Sequence, residues 1–285
     1  MFKTAHGFAA EGDRRPALLA ALRARIAGIG RLTPADAASW NLGVPEIDAR
    51  LPPHGLAPDA VHEIAAGTYA DTPAAMGFAA SLAVRRLFME ERAARPLLWV
   101  RLCHANGEWG RLYGHGLAGI GVPRDRLLTV SLRKPRSLLW TVEEALKSGS
   151  LALVIADTDR RAIDLTVTRR LSLAAKAGAT PALLLFPHGL SGGTAALTRW
   201  CVRAHPSSPP FFDADAPGVP AWVLALERCR AGRPGVWSVE WHHATHCFSL
   251  VAPLSGGAAR PRQPAPAPPP IARETLAFRA GGGGT

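Results

Sequence analysis

The sequence predicts an α/β domain with a mostly parallel sheet, and two observations support this prediction. Helical stretches alternate with short apolar runs, which favours parallel strands with helices on both faces of the sheet. The apolar runs have no polar face, as expected of strands buried on both sides. The runs are Pro96–Leu102, Leu127–Leu132, Leu151–Ala156 and Ala182–Phe186, and the clearest helices between them are Ser137–Lys147 and Asp164–Ala177.

The amino-terminal half supplies a further strand and two further helices. The apolar segment Val61–Ile64 predicts a strand that leads through a loop into a helix at Ala74–Met89. Before it lies a turn-rich stretch, Asn41–His54, with several Pro and Gly residues. Leu and Ile residues at helical spacing predict an amphipathic helix over Pro16–Ile29.

The carboxyl-terminal part predicts a hairpin followed by a tail. Two strand candidates, Ala221–Arg228 and Val236–His243, are joined by the turn-forming segment 231–235, so the sheet should end in an antiparallel hairpin. Beyond Ser255 the chain is rich in Pro and Gly and cannot bury enough apolar surface to fold alone. We therefore predict an amino-terminal helix and linker at 1–38, a core at 39–255 and a disordered tail at 256–285.

Composition limits the class of protein and its environment. The 285 residues carry a net charge of +11, which favours anionic partners, although the Ala, Arg, Gly and Pro content also fits a GC-rich genome. The four cysteines form no Cys-x-x-Cys pair, which argues against a disulfide framework. We expect a cytoplasmic protein, because no apolar run is long enough to cross a bilayer and the first residues lack the order of a signal peptide.

The loop after the first strand has the position of a phosphate-binding loop but not its residues. Such a loop needs Gly-x-x-x-x-Gly-Lys-Ser/Thr, in which backbone N–H groups and the lysine bind phosphate. Counted from Gly67, Thr72 replaces the second glycine, Pro73 the lysine and Ala74 the hydroxyl residue, while Asp71 adds a negative charge. Proline also removes a backbone donor. The residues therefore predict that this loop does not bind nucleotide. The loop is either a degenerate P-loop or a loop that never bound phosphate.

No other part of the chain can supply the missing motif. Lysine occurs only at Lys3, Lys134, Lys147 and Lys176, and none of these follows the required glycines. We expect no cofactor.

Several segments together resemble the ImuA family of RecA-like proteins. The similarity extends over about Ser39–Pro253 and begins at Leu42–Asp48 and Val61–Ile64. It is most specific in four segments, Leu139–Leu146, Arg169–Ala175, Thr198–Val202 and Glu227–Gly235. The resemblance implies a RecA-like core and makes the loop at Gly67–Ala74 a degenerate P-loop.

The resemblance also implies a function and partners. It implies an SOS-induced accessory protein of mutagenic translesion DNA synthesis that binds an ImuB-like Y-family polymerase homologue, an error-prone replicative-type polymerase and RecA. We expect a pseudo-ATPase that acts as an adaptor and not as an enzyme. Two alternatives stay open, a SulA-like inhibitor of cell division and a RecA paralogue with residual nucleotide-dependent DNA binding.

Asp157 occupies the position of a Walker B aspartate in this comparison. We interpret it as structural, because an acidic strand end is common and no P-loop is present to hold a magnesium nucleotide. The glutamate with which RecA activates water should follow the strand Leu97–Leu102, where this chain has Arg101 and no carboxylate before Glu108.

Basic residues are candidates for contacts with DNA or with partner proteins. RecA-type DNA-binding loops would correspond to Thr158–Asp164 and Pro187–Thr198, which are short here, so only weak phosphate contacts are expected. The candidate residues are Arg160 and Arg161 in the first of these loops, the cluster Arg133, Lys134 and Arg136 after a strand, and Arg228, Arg230 and Arg233 around the hairpin turn. For the last two groups a solvated surface remains the alternative.

A cluster of His and Cys near the end of the core raises the question of a metal. His242, His243, His246 and Cys247 are close in sequence, but adjacent strand residues point to opposite faces and no second cluster completes a tetrahedral site. We expect no metal there.

Overall fold

A computed structural model describes residues 40–52, 54–89, 95–103, 112–158, 163–187, 189, 192–207, 209 and 216–251. The helix expected at Pro16–Ile29, the tail at 256–285 and the residues Arg160 and Arg161 lie outside these ranges.

Nine strands form one mixed sheet in the described part of the chain. Their order across the sheet is β3-β2-β4-β5-β1-β6-β7-β8-β9. The first six strands in this order pair in parallel, and the pairs from β6 to β9 are antiparallel. The strands are β1 (Val61–Ala66), β2 (Leu97–Leu102), β3 (Leu127–Leu132), β4 (Leu153–Asp157), β5 (Ala182–Phe186), β6 (Thr198–Ala204), β7 (Ala221–Cys229), β8 (Gly235–His242) and β9 (Cys247–Leu250).

Helices cover both faces of the parallel part of the sheet. The helix α2 packs on β1, β5 and β6 and contacts α3, whereas α4 and α5 contact each other and pack on β2, β4 and β1. Two apolar cores result, one with α2 and one with α4 and α5. The helices are α1 (Pro45–Asp48), α2 (Thr72–Phe88), α3 (Gly114–Ile120), α4 (Pro135–Lys147) and α5 (Leu165–Ala177), and two 3₁₀ turns lie at Tyr69–Asp71 and Arg124–Arg126.

This architecture confirms the predicted α/β class, the mostly parallel sheet and the antiparallel hairpin, which is β7–β8. The described α2, α4 and α5 begin within two residues of the helices expected from the sequence.

Four elements have no counterpart in the sequence prediction. They are β6, β9, α1 and α3. The strand β6 carries the charged Arg199 and Arg203 on either side of apolar residues such as Trp200, so it lacks the continuous apolar run of a parallel strand. Three glycines in α3 lower its intrinsic helix propensity, and packing against α2 compensates for this. The predicted strand Val236–His243 also ends one residue earlier, at His242.

A carboxylate organises the segment that leads into the core. The backbone N–H groups of Leu42, Gly43 and Val44 donate to Asp48 at 2.8, 2.9 and 3.1 Å. Gly43 has a φ of +84°, which only glycine adopts readily, and the guanidinium of Arg85 lies directly over it. The segment is therefore fixed to α2 before β1 begins.

Candidate functional site

The carboxyl ends of β1 to β6 meet at one edge of the sheet, because these strands run in parallel. We call this the carboxyl edge. The loop from Gly67 to Ala74 follows β1 there, Asp157 ends β4, and Arg133 follows β3. Open α/β sheets commonly bind ligands at this edge, so the chemistry of these residues decides what the edge can bind.

The loop after β1 is a short, internally bonded turn. Gly67 N–H donates to Val202 O on β6 at 2.8 Å. Thr68 then caps the 3₁₀ turn Tyr69–Asp71, and α2 starts at Thr72. A Cβ on Gly67 would lie 2.5 Å from Cγ of Arg203, so the exposed Arg203 covers this glycine closely.

The carboxylate of Asp71 accepts hydrogen bonds from both sides of the loop. Its Oδ2 accepts from the backbone N–H of Thr68 at 3.0 Å and from the Thr68 hydroxyl at 2.7 Å. Its Oδ1 accepts from the backbone N–H of Ala204 at 3.0 Å. The Ala204 N–H first, and then the two Thr68 donors, hold the pKa of Asp71 below its usual value, so the carboxylate is ionised at neutral pH. The N–H and hydroxyl donors of Thr68 and Ala204, which could otherwise bind an anionic ligand, therefore bind the carboxylate of Asp71.

The first turn of α2 offers little to an anionic ligand. Pro73 stands in this turn, where its fixed φ favours helix initiation but where it has no N–H to donate. The Thr72 hydroxyl lies 2.6 Å from Tyr69 O and 3.2 Å from Pro187 O, so it is occupied by backbone carbonyls. Ala74 has no polar side chain.

Asp157 forms an ion pair across the sheet. Arg101 is its register partner on β2, and the Arg101 Nε donates to Asp157 Oδ2 at 3.0 Å with both side chains mostly buried. Arg101 thus neutralises the charge of Asp157 at the carboxyl end of β4. The structural role expected of Asp157 stays a prediction.

The cluster of Arg133, Lys134 and Arg136 is exposed at the carboxyl edge. Lys134 precedes Pro135, which starts α4. The side chains of the cluster are therefore accessible to an anionic partner.

The arginines of the β7–β8 hairpin lie at the opposite edge of the sheet, because Cys229 at the end of β7 pairs with Thr198 at the start of β6. The structure therefore does not bring them together with the carboxyl edge. The turn is anchored by its backbone: Arg230 N–H donates to Leu197 O at 3.1 Å, and Arg233 N–H donates to Arg50 O at 3.4 Å. The side chains of Arg230 and Arg233 remain exposed, and that of Arg228 is half-buried.

A buried ion pair that joins β1 and β6 was not predicted from the sequence. Arg199 Nε donates to Glu63 Oε2 at 2.8 Å, and the Thr194 hydroxyl donates to Oε1 at 2.6 Å. All three side chains are buried. The charged Glu63 inside an otherwise apolar strand could have indicated this ion pair, because a buried charge needs a partner.

The His and Cys cluster is divided between two strands and the turn that joins them. His242 ends β8, Cys247 begins β9, and His243 and His246 lie between them. His242 Nε2 is 2.7 Å from Ser249 Oγ, whereas the His246 ring stacks on Phe88. Within the described ranges, no three His, Cys, Asp or Glu side chains are grouped to hold a metal ion.

None of the helices in the described part of the chain combines the length and the apolar character that a membrane span requires.

The fold and the edge chemistry define an α/β protein whose strand-to-helix loop is closed by its own carboxylate. No family model matches the chain. The chain is 34% identical over 240 residues to Protein ImuA from two strains of Caulobacter vibrioides, NA1000 and ATCC 19089, and the alignment covers 79% of this chain and 93% of each relative. The chain belongs to the ImuA family.

Proposed function

We propose that this protein is a non-catalytic, RecA-like adaptor of the ImuA–ImuB mutagenesis cassette. It acts in SOS-induced translesion DNA synthesis in the cytoplasm and binds an ImuB-like polymerase homologue, an error-prone replicative-type polymerase and RecA. One observation supports the non-catalytic part of this proposal. The carboxylate of Asp71 accepts hydrogen bonds from the loop, at the place where a nucleotide phosphate would have to bind.

Electrostatics support the absence of ATP binding. A phosphate in this loop would meet the negative charge of Asp71 and no lysine, because the loop contains none. It would also lose the N–H that Pro73 lacks. Like charges at contact distance disfavour binding, and Asp71 would have to leave three hydrogen bonds to make room.

Family membership supports the adaptor part. A strand, a loop and a helix in the order of β1, Gly67–Ala74 and α2, with an aspartate at the end of β4, is the arrangement expected of a RecA-like core that has lost its phosphate site. Such a core keeps its surfaces for binding proteins, and weak contacts with DNA phosphates through Arg133, Lys134 and Arg136 are compatible with their exposure.

Nucleotide binding is tested by titration calorimetry with Mg-ATP and by an ATPase assay with and without single-stranded DNA. We expect no binding heat and no turnover above that of the Asp157→Ala variant. Saturable ATP binding, or turnover that this variant abolishes, would show that the protein is a nucleotide-dependent enzyme.

Partner binding is tested separately, by co-purification of the full chain with each of the three partners. We expect stable association with the ImuB-like protein. If none of the three is retained, the adaptor role is wrong even when the protein is inactive towards ATP.

A further inference from the structure

The helices α4 and α5 expose two large apolar side chains to solvent. Trp140 on α4 is 66% exposed and Leu173 on α5 is 63% exposed. Neither belongs to the apolar core beneath the helices, which α4 and α5 fill with other residues, namely Leu138, Val142, Leu146, Leu171, Ala174 and Ala175. Packing within this domain therefore does not explain why large apolar side chains occur at the exposed positions of Trp140 and Leu173.

The two residues belong to one continuous surface. Arg170 donates to the Glu143 carboxylate, so the two helices touch at this ion pair. Trp140 lies three residues before Glu143 and Leu173 three residues after Arg170, and residues three apart are neighbours on a helix surface. The apolar side chains thus flank the ion pair on either side. We call this surface the α4/α5 face and define it by Arg136, Trp140, Arg169, Arg170 and Leu173.

Positive charge surrounds these apolar residues. Arg136 lies four residues before Trp140, and Arg169 lies four residues before Leu173, so each apolar residue has an exposed arginine one turn away. Arg170 and Lys147 are paired with Glu143 and Glu144. Among the described residues, no carboxylate forms an ion pair with Arg136 or Arg169. Within the described ranges, the exposed apolar side chains of this face are therefore surrounded by arginines that have no ion-pair partner.

We propose that the α4/α5 face is a docking site for an acidic protein segment that inserts aliphatic or aromatic side chains beside Trp140 and Leu173. Tryptophan and arginine are the residue types that most often dominate binding at protein interfaces. The carboxylates of the segment would pair with Arg136 and Arg169, and its apolar side chains would cover the exposed rings and methyl groups.

The chemistry of the face favours protein over nucleic acid. Bases stack on aromatic rings and on guanidinium planes, but Leu173 offers only an aliphatic side chain. Arg136 and Arg169 are exposed and can pair with peptide carboxylates, while Glu143 and Glu144 are already paired with Arg170 and Lys147. An acidic peptide with apolar anchors satisfies both features.

This inference rests on the proposed adaptor function, because it assigns the surface through which the ImuB-like protein is bound. The experiment measures the Kd of the full chain for the purified ImuB-like protein by biolayer interferometry. We expect Trp140→Ala combined with Leu173→Ala to weaken binding at least about tenfold, as loss of a central anchor does. Charge reversal by Arg136→Glu and Arg169→Glu should weaken it as well and reduce its dependence on salt.

Two matched variants control for unspecific effects. Val236→Ala truncates another apolar side chain that is 67% exposed, on β8. Arg50→Glu with Arg124→Glu reverses two exposed charges that lie outside the α4/α5 face and outside the candidate basic clusters. Both should bind within about twofold of the wild type, since neither site touches the α4/α5 face. Circular dichroism and thermal unfolding verify that all variants keep the fold.

Four outcomes decide the question. Loss of binding in the face variants alone supports the inference. If the wild type binds and the face variants bind equally well, or if the charge-reversed control loses binding to the same extent, the face is not the docking site. If the face variants lose affinity only for a single-stranded oligonucleotide, the occupant is nucleic acid and the inference is overturned. A wild type that binds none of the three partners overturns the adaptor function and this inference with it.

Discussion

At the scale of the residue, His62 shows how burial fixes a protonation state. Its ring is fully buried in β1, with Nε2 at 3.0 Å from Ala57 O and Nδ1 at 2.8 Å from Thr198 Oγ1. A carbonyl can only accept, so Nε2 carries the proton and Nδ1 accepts from the threonine hydroxyl. That hydroxyl in turn accepts from Trp200 Nε1 at 3.1 Å. The chain of hydrogen bonds fits a neutral imidazole.

We predict a loss of stability at mildly acidic pH that originates at His62. Burial lowers its pKa from 6.5 to about 4, so the unfolded chain binds the proton first as the pH falls. The contribution of the neutral His62 ring to the free energy of unfolding is fully present above pH 6.5. About 3 kcal/mol of this contribution is lost as the pH falls towards 4. Urea unfolding of the wild type and of His62→Gln between pH 7 and 4 measures it. The two profiles should converge at low pH; parallel profiles would mean that the ring is not the titrating group.

The Glu63–Arg199 pair leads to a second prediction at this scale. Arg199→Met should cost about 3–5 kcal/mol in the free energy of unfolding, because it removes one partner of a buried ion pair. The double variant Glu63→Leu with Arg199→Met should be more stable than the single one, since no buried charge is left. Urea unfolding of both variants tests this. A single variant within 1 kcal/mol of the wild type would contradict the role of the pair.

At the scale of the element, the loop between β1 and α2 depends on Asp71. Asp71→Ala removes the acceptor of three hydrogen bonds and should lower stability by about 1 kcal/mol, as loss of a helix-capping residue does. Amide exchange at Thr68 and Ala204, measured by mass spectrometry or NMR, should accelerate. Asp125→Ala, at an exposed position in the 3₁₀ turn Arg124–Arg126, is the control and should leave exchange at both amides unchanged.

The end of α5 gives a prediction about close packing. A Cβ on Gly178 would lie 1.8 Å from the carbonyl oxygen of Leu146, which belongs to the backbone of α4. Gly178→Ala should therefore destabilise the protein by about 3 kcal/mol. Gly119→Ala in α3, where nothing lies within 4 Å of the added atom, should be neutral or stabilise by about 0.5 kcal/mol. Thermal unfolding compares the stability of the two variants. Equal stability would show that the end of α5 does not pack as closely on the backbone of α4.

At the scale of the whole molecule, the two apolar cores share their strands. In β4, Leu153 and Ile155 point into the core of α2, whereas Val154 and Ala156 point into that of α4 and α5. If one core unfolds, the other therefore loses the strands that form one side of it. The sheet therefore couples both halves of the described chain.

This sharing predicts cooperative unfolding. Tryptophan fluorescence and far-UV circular dichroism should report the same midpoint in urea, because Trp99, Trp200 and Trp241 lie in the core of α2 and the helices lie on both faces. Separate midpoints would indicate that the antiparallel strands β7 to β9 unfold independently of the parallel ones.

The parallel strands and their helices were predictable because each carries a periodic signal of its own. The strand β6 was not, since Arg199 is tolerated there only because Glu63 on β1 neutralises it, 136 residues away in sequence. In the same way, Asp157 could be located from the sequence, but its partner Arg101 follows from the register of β2 and β4. Pairing across a sheet depends on contacts that no local pattern encodes.

The sequence by itself determined the α/β class and the residues of the loop, since periodicity and the absence of a lysine from that loop are local properties of the chain. It also determined the family, through similarity to Protein ImuA. The tertiary structure decided how those residues are used. It brought Ala204 to Asp71, so that the loop binds its own carboxylate. It also gathered Arg133, Lys134 and Arg136 at the carboxyl edge and left the hairpin arginines at the other, because strand direction alone determines the edge at which a strand ends.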